Sequence, residues 1–248
     1  DGTTKVVAVK ANGSKPVLRV VLANGNTVEA TADHEIWAAP AGAARGAGYE
    51  WTEVGKLRPG MRLTQRTDTS IGSKGADDAR EVSEAILAGW LQGDGFVGQY
   101  SEGTNRSLTV EFLTADEEEF DFLLPHIDRV FEGVHRHVRT HATQSSDLEL
   151  RRIRLYGEQL RPFVERYGLM DRGLEMRVPA PVRSAGSAAV RGYLAALFQT
   201  DGTARAHAGP TDSFDVVLAT ISEQLMRDTQ KLLANLGIYG RLSVGHDS

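Results

Sequence analysis

Apolar and polar positions alternate with a period near two in the opening segment of the chain. Lys5–Lys10 is a weakly alternating, valine-rich run, Pro16–Leu22 is a second and Thr27–Ala30 a third. Asn12-Gly13 and Asn24-Gly25 separate them. Asn-Gly tolerates the positive φ of tight turns, so the pattern predicts two successive β-hairpins. Residues 38–50 are rich in Ala and Gly and read as a flexible loop. Order resumes over Trp51–Leu63, with Arg58-Pro59-Gly60 as a turn. A polar, Gly- and Ser-containing stretch follows and reads as a linker over residues 67–82.

Beyond it the period changes. A helix is predicted from near Ser83 to Gly93, then strands near Phe96–Tyr100 and Ser107–Leu113. Over Asp116–Phe131 the apolar residues Phe120, Leu123, Leu124, Ile127, Val130 and Phe131 recur at three-four spacing, the signature of an amphipathic helix. Acids crowd its first turn, where the helix dipole favours them. Strands near Val134–His141 and Leu148–Leu155 and a helix over Gly157–Tyr167 close the unit. The order then recurs: helix Ser187–Thr200, strands Ala204–Ala208 and Phe214–Ala219, helix Glu223–Leu236, and the start of a strand over Ile238–Val244. Superposing Asp94 on Asp201 aligns the two copies, an internal repeat in which the second lacks a last strand and closing helix.

Composition narrows the chemistry. The chain has 248 residues, 41% hydrophobic and 25% charged, an ordinary globular balance with room for one or two domains. It has no cysteine, which excludes disulfides, thiolate metal sites and a thiol nucleophile within these residues, and fits a reducing, cytoplasmic setting. No apolar run is long enough to cross a bilayer, so no membrane partner is expected. The net charge of −5 argues at first against nucleic acid. Residues 111–132, however, carry a net −7 by themselves. Residues 134–155 gather Arg136, Arg139, Arg151, Arg152 and Arg154 with three histidines. Charge is segregated by segment, and a local basic face is what phosphate binding needs.

The strongest motif is Leu87-Ala88-Gly89-Trp90-Leu91-Gln92-Gly93-Asp94-Gly95, echoed by Leu194-Ala195-Ala196-Leu197-Phe198-Gln199-Thr200-Asp201-Gly202. Each is an apolar helix with small residues on one side and an Asp-Gly pair at its C-terminal end. Small residues let two helices pack with close backbones, which brings the two aspartates together. A carboxylate at a helix C-terminus opposes the dipole, and two converging ones repel, so the arrangement calls for a compensating cation. Hard divalent cations prefer oxygen ligands, and Mg²⁺ commonly takes carboxylates, phosphate and water. One such motif is also consistent with a buried helix ended by a glycine cap; two, each followed by a matching β-β-α continuation, point to a site.

On these residues the chain resembles the LAGLIDADG homing endonucleases over about 83–248, with repeats at about 83–168 and 187–248. The resemblance implies a monomer with a pseudo-twofold αββαββα fold, its second repeat truncated. It implies strands that form a saddle over a long, specific double-stranded DNA target. It also implies Mg²⁺-dependent cleavage with Asp94 and Asp201 as catalytic metal ligands, assisted by the carbonyls of Gly93 and Thr200. Arg136, Arg139, Arg151 and Arg154 in the first repeat, and Arg205 and His207 in the second, are the expected DNA contacts. Many intein-embedded members carry a lysine before an Ile/Val-Pro between the motifs. Here Glu175-Met176-Arg177-Val178-Pro179 places Met176 at that position, leaving Arg177 as the nearest cation to stabilise developing phosphate charge.

The opening segment resembles part of the Hint splicing fold of inteins: Thr31-Ala32-Asp33-His34 after the hairpins, then Leu57–Leu63. That resemblance implies that His34, with Thr31 assisting, polarises the peptide bond at an upstream splice junction, and that host protein segments flank the element. The chain starts at Asp1 rather than Cys or Ser and finishes His246-Asp247-Ser248 rather than His-Asn, so as it stands it is not expected to splice. The expected fold is α+β: a partial all-β Hint-like domain over 1–66, then the endonuclease domain. Three alternatives stay open: a catalytically inactive DNA-binding module, a splicing element with a passenger endonuclease, and a regulator that uses the same fold to bind DNA without cutting, against which the leader domain argues.

Overall fold

The computed structural model describes residues 5–11, 13–65, 78–99, 107–142, 149–207, 213–243 and 245. The chain divides into two compact units: Asp1–Arg66 with Arg241–Ser248, and Thr67–Gly240.

In the first unit, β1 (Val17–Val21) and β2 (Thr27–Thr31) form one antiparallel hairpin in the register Val17 opposite Thr31 through Val21 opposite Thr27. Gly25, at φ 84°, supplies the left-handed residue of its turn. The other expected hairpin does not form. Lys5–Lys10 is irregular, and Val6, Val7 and Val9 are exposed. Valine-rich local sequence makes no strand without a neighbour to pair with and a surface to bury against. The reading of 38–50 as loop also needs correction at its start. β3 (Glu35–Ala39) runs through Ala38 and Ala39, both fully buried, because it lies between β4 (Glu50–Glu53) and β5 (Arg62–Leu63). Trp37 stands opposite Trp51, their rings edge-on with centroids 5.3 Å apart.

The second unit holds the larger core. Its first helix, α1 (Ala79–Gly93), begins before the expected Ser83, because the Asp78 carboxylate accepts from the Arg80 N–H and caps it. The C-terminal end of the expected 67–82 linker, from Ala79, is therefore helix; residues 67–77 lie outside the described set. Next come β6 (Phe96–Gln99), β7 (Leu108–Thr114), α2 (Glu117–Val130), β8 (Arg136–Ala142) and β9 (Glu149–Tyr156). These strands form one antiparallel sheet in the order β6-β7-β9-β8. Val110 and Phe112 of β7 stand opposite Leu155 and Ile153 of β9, all four fully buried, so this face covers the core with Leu123 and Ile127 of α2. A 3₁₀ turn over Glu158–Leu160 precedes the short α3 (Arg161–Arg166), where one continuous helix was expected.

The second copy runs α5 (Ser187–Asp201), β10 (Gly202–His207), β11 (Ser213–Leu218) and α6 (Glu223–Asn235), after the single-turn α4 (Ala180–Arg183). The order α1-β6-β7-α2 is thus repeated as α5-β10-β11-α6. Among the described residues the second sheet has two strands where the first has four. The strand expected from Ile238 does not form over residues 238–243; Leu242 instead donates its N–H to the Asn24 carbonyl at 2.9 Å.

Candidate active site

Helices α1 and α5 form the most extensive helix–helix contact of the second unit, and glycines make the approach close. A β-carbon on Gly89 would collide with the Tyr193 carbonyl, and one on Gly192 would press on Ile86. Gly93, at the last turn of α1, is covered by the Thr200 side chain at the last turn of α5. Thr200 Oγ1 donates back to the Ala196 or Leu197 carbonyl, at 3.0 and 3.2 Å, which fixes its hydroxyl and β-carbon over Gly93. Two apolar helices with small residues at the seam therefore end side by side.

The glycines after the aspartates are needed for a different reason than a left-handed cap. Neither Gly95 nor Gly202 has a positive φ. A β-carbon on Gly95 would run into the Leu91 backbone, and one on Gly202 into the Phe198 carbonyl. Each glycine lets the chain turn back tightly over its own helix end and leads straight into a strand.

Asp94 and Asp201 sit at these adjoining ends. Both reach solvent, yet the packed helix ends remove part of their hydration. That desolvation, with the charges of Asp201 and Glu119, holds the Asp94 carboxyl above the usual 3.8; desolvation raises Asp201 as well. No basic side chain among the described residues forms an ion pair with either. The last carbonyls of each helix, Gly93 and Thr200 included, have no helical donor. Among the described residues no group of three or more acids or histidines gathers into a metal cluster. Two uncompensated carboxylates beside free carbonyl ends nevertheless make an all-oxygen donor set, which suits a hard, largely hydrated divalent cation.

Arg177 is attached to this end of α1 through its backbone. Gln92 Nε2 donates to the Arg177 carbonyl at 2.9 Å, and Gln92 Oε1 accepts from the buried Tyr193 hydroxyl at 2.6 Å. The Arg177 side chain is exposed. Met176 is partly buried against the core, and its carbonyl accepts from Ser222 Oγ at 2.5 Å. Glu119 forms the other border. Its two oxygens accept from Ala115 N–H at 2.6 Å and Gln199 Nε2 at 2.9 Å, tying the start of α2 to α5 two residues before Asp201.

The expected DNA contacts divide between the two faces of the sheet. Arg139 and Arg154 lie on the outer face, away from the helices. Arg136 and Arg151 do not. They share the helix-facing side with Leu155 and Ile153, where Arg136 pairs with Asp128 and Arg151 with Glu117. The Arg151 guanidinium also lies 4.8 Å from the Phe120 ring. The acidic helix α2 claims both, so they are not brought together with Arg139 and Arg154. The outer face holds two residues that were not among the expected DNA contacts: Arg152, directly opposite Arg139, and Glu111, directly opposite Arg154. The signal was the period-two alternation itself, since Ile153 and Leu155 set the parity of β9. Arg205 is exposed on β10, opposite Asp215. His207 ends β10, but its side chain lies outside the described residues. In the first unit Thr31 and His34 form a tight turn, with the His34 N–H donating to the Thr31 carbonyl at 3.0 Å. The Thr31 hydroxyl and Lys15 both hold the Asp33 carboxyl below its usual range.

Comparison with known proteins adds the following. Residues 188–248 match a family model described as the LAGLIDADG-like domain. The chain is 28% identical over 244 residues to the replicative DNA helicase DnaB of Rhodothermus marinus, covering 93% of this chain and 23% of that protein. It is 26% identical over 237 residues to a DNA gyrase subunit of Mycobacterium gordonae, covering 93% of this chain and 40% of that one. The chain thus spans well under half the length of these relatives. Among solved structures, mesophilic variants of the homing endonuclease I-DmoI align with TM-score 0.48 and 13% identity, over 65% of this chain and 80% of theirs. I-WcaI bound to its DNA recognition sequence aligns with TM-score 0.43 and 13% identity, over 62% and 66%. The family-model match falls on the second repeat, so that repeat is similar to a LAGLIDADG-like domain, within a mixed α/β chain.

Proposed function

We propose that the chain is part of an inserted protein-splicing element that carries a site-specific DNA endonuclease. The observation that carries the nuclease reading is the pair of uncompensated carboxylates, Asp94 and Asp201, at the adjoining ends of two glycine-packed helices. Asp94, Asp201 and the carbonyls of Gly93 and Thr200 would hold Mg²⁺, which when bound lowers the pKa of a water and stabilises a leaving oxygen. Arg177, whose carbonyl is held by the Gln92 side chain two residues before Asp94, would supply the cation to a scissile phosphate. Arg139, Arg152, Arg154 and Arg205 lie exposed or half-exposed on strands to receive the duplex, and the protein acts as a monomer because both halves of the site are in one chain.

The insertion reading is supported by the relatives. Nearly the whole chain matches part of a helicase and part of a gyrase, two proteins of different names. A mobile element carried by different hosts produces that pattern. In that context Thr31 and His34, joined in one turn, are the residues that would polarise a splice-junction peptide bond.

A second reading, a DNA-binding module without cleavage, is favoured by Met176, whose partly buried side chain supplies no ammonium to the site. One experiment separates the two: incubation of a randomised duplex library with the protein and Mg²⁺, beside an Asp94→Ala/Asp201→Ala control, with binding scored in Ca²⁺. One long sequence enriched among cut products, only with both aspartates present, is expected. Sequence-specific binding without cutting supports the module, and the absence of both binding and cutting refutes both readings.

A further inference from the structure

The outer face of the sheet sets like charges directly against each other. Arg139 of β8 stands opposite Arg152 of β9, and Arg154 lies two residues along on the same face. Like charges at paired positions are destabilising. The acid that offsets them is Glu111, in β7, which has little access to solvent at 12% side-chain exposure. Both its oxygens are taken. Oε2 accepts from Arg154 Nε at 2.5 Å, and Oε1 lies 2.8 Å from Arg152 Nε. The second contact is off the hydrogen-bonding direction, so it is an ion pair that leaves the Arg152 Nε–H without an acceptor. Arg154 Nη1 is tied in addition to the Tyr156 hydroxyl at 3.3 Å. Two guanidiniums, each about a third exposed, are thus held by one carboxylate, on the face of the sheet opposite the buried Ile153 and Leu155.

We propose that Glu111 is a positioning residue for sequence discrimination: it fixes the fork of Arg154 toward base edges, holds Arg152 beside it as an ion pair, and cancels part of the charge of both toward phosphate. This rests on the DNA-binding reading above. A free arginine on a flexible stem finds any phosphate, whereas an oriented fork matches the paired acceptors of a guanine edge. A chain of net charge −5 has little general attraction for DNA, so discrimination depends on where its few outer-face cations point.

The test uses the full chain in Ca²⁺. The probes are the sequence enriched from a randomised duplex library and a scrambled duplex of the same length, with affinity measured over a range of salt. For Glu111→Gln, the ratio of affinities for the two duplexes is expected to fall about tenfold or more. The scrambled duplex should bind tighter, with a salt slope steeper by about one to two, as freed arginines reach phosphates. Arg154→Lys keeps the charge and loses the fork; its slope should stay and its ratio should fall. This second variant carries the test if Glu111→Gln fails to fold. An unchanged ratio in a folded Glu111→Gln or in Arg154→Lys overturns the positioning role and leaves DNA binding standing. No binding by the wild type to any duplex overturns the DNA reading and this role with it.

Discussion

The Thr200 side chain occupies the space over Gly93 that a β-carbon would need. That single relationship places the C-terminal ends of α1 and α5 in contact, and with them the carboxylates that follow at Asp94 and Asp201. The seam tolerates nothing larger at Gly89 either, where the obstacle is the Tyr193 carbonyl, a backbone atom that cannot rotate away.

Gly89→Ala is therefore expected to force the helices apart. Overpacking of this kind costs about 1–3 kcal/mol, and Ala would otherwise favour a helix, so the loss reports the seam alone. Thermal unfolding measures it; an unchanged or raised Tm would contradict the close packing.

Asp94→Asn/Asp201→Asn should abolish cleavage while leaving the fold as stable or more stable. The pH dependence has a definite sign. Both carboxyls titrate above their ordinary 3.8 when folded, so the folded state holds protons more tightly than the unfolded one. Their contribution to stability is thus lost as pH rises from about that ordinary value through their folded pKa values. Without divalent cation, the wild type should lose stability relative to the double variant across that window. Adding Mg²⁺ at neutral pH should raise the wild-type Tm and leave the variant's unmoved.

Tyr193→Phe removes the donor to Gln92 Oε1 in a buried setting. A buried acceptor left unpaired costs about 1–3 kcal/mol. Gln92 also holds the Arg177 carbonyl, so cleavage should fall together with stability. Arg177→Ala should reduce cleavage by about a hundredfold with an unchanged Tm, the size seen when one charge-stabilising donor is lost. Single-turnover rates distinguish the two variants.

Arg139→Gln should weaken binding to every duplex and lower the salt slope by about 0.9. Arg136→Gln and Arg151→Gln should do neither, because those side chains face the acidic helix α2. Their cost is in stability, at most about 1 kcal/mol for a half-exposed pair. Equal DNA effects from Arg139 and Arg136 would show that the assignment of sheet faces is wrong.

Local spacing by itself determined much of this molecule. The three-four pattern of Phe120, Leu123 and Ile127 makes α2, the repeated Asp-Gly after a small-residue helix marks the pair at 94 and 201, and Asn24-Gly25 makes its hairpin. Short-range sterics and side-chain periodicity act within a few residues and can be read from them. The tertiary structure decided the rest. Lys5–Lys10 stays irregular for want of a strand to pair with, while Ala38 and Ala39 become strand because β5 covers them. Arg136 and Arg151 are claimed by α2, and Arg152 and Glu111 take the outer face, by a register that only the assembled sheet imposes. A strand carries side chains to both sides with equal ease, and which side is core depends on what packs there.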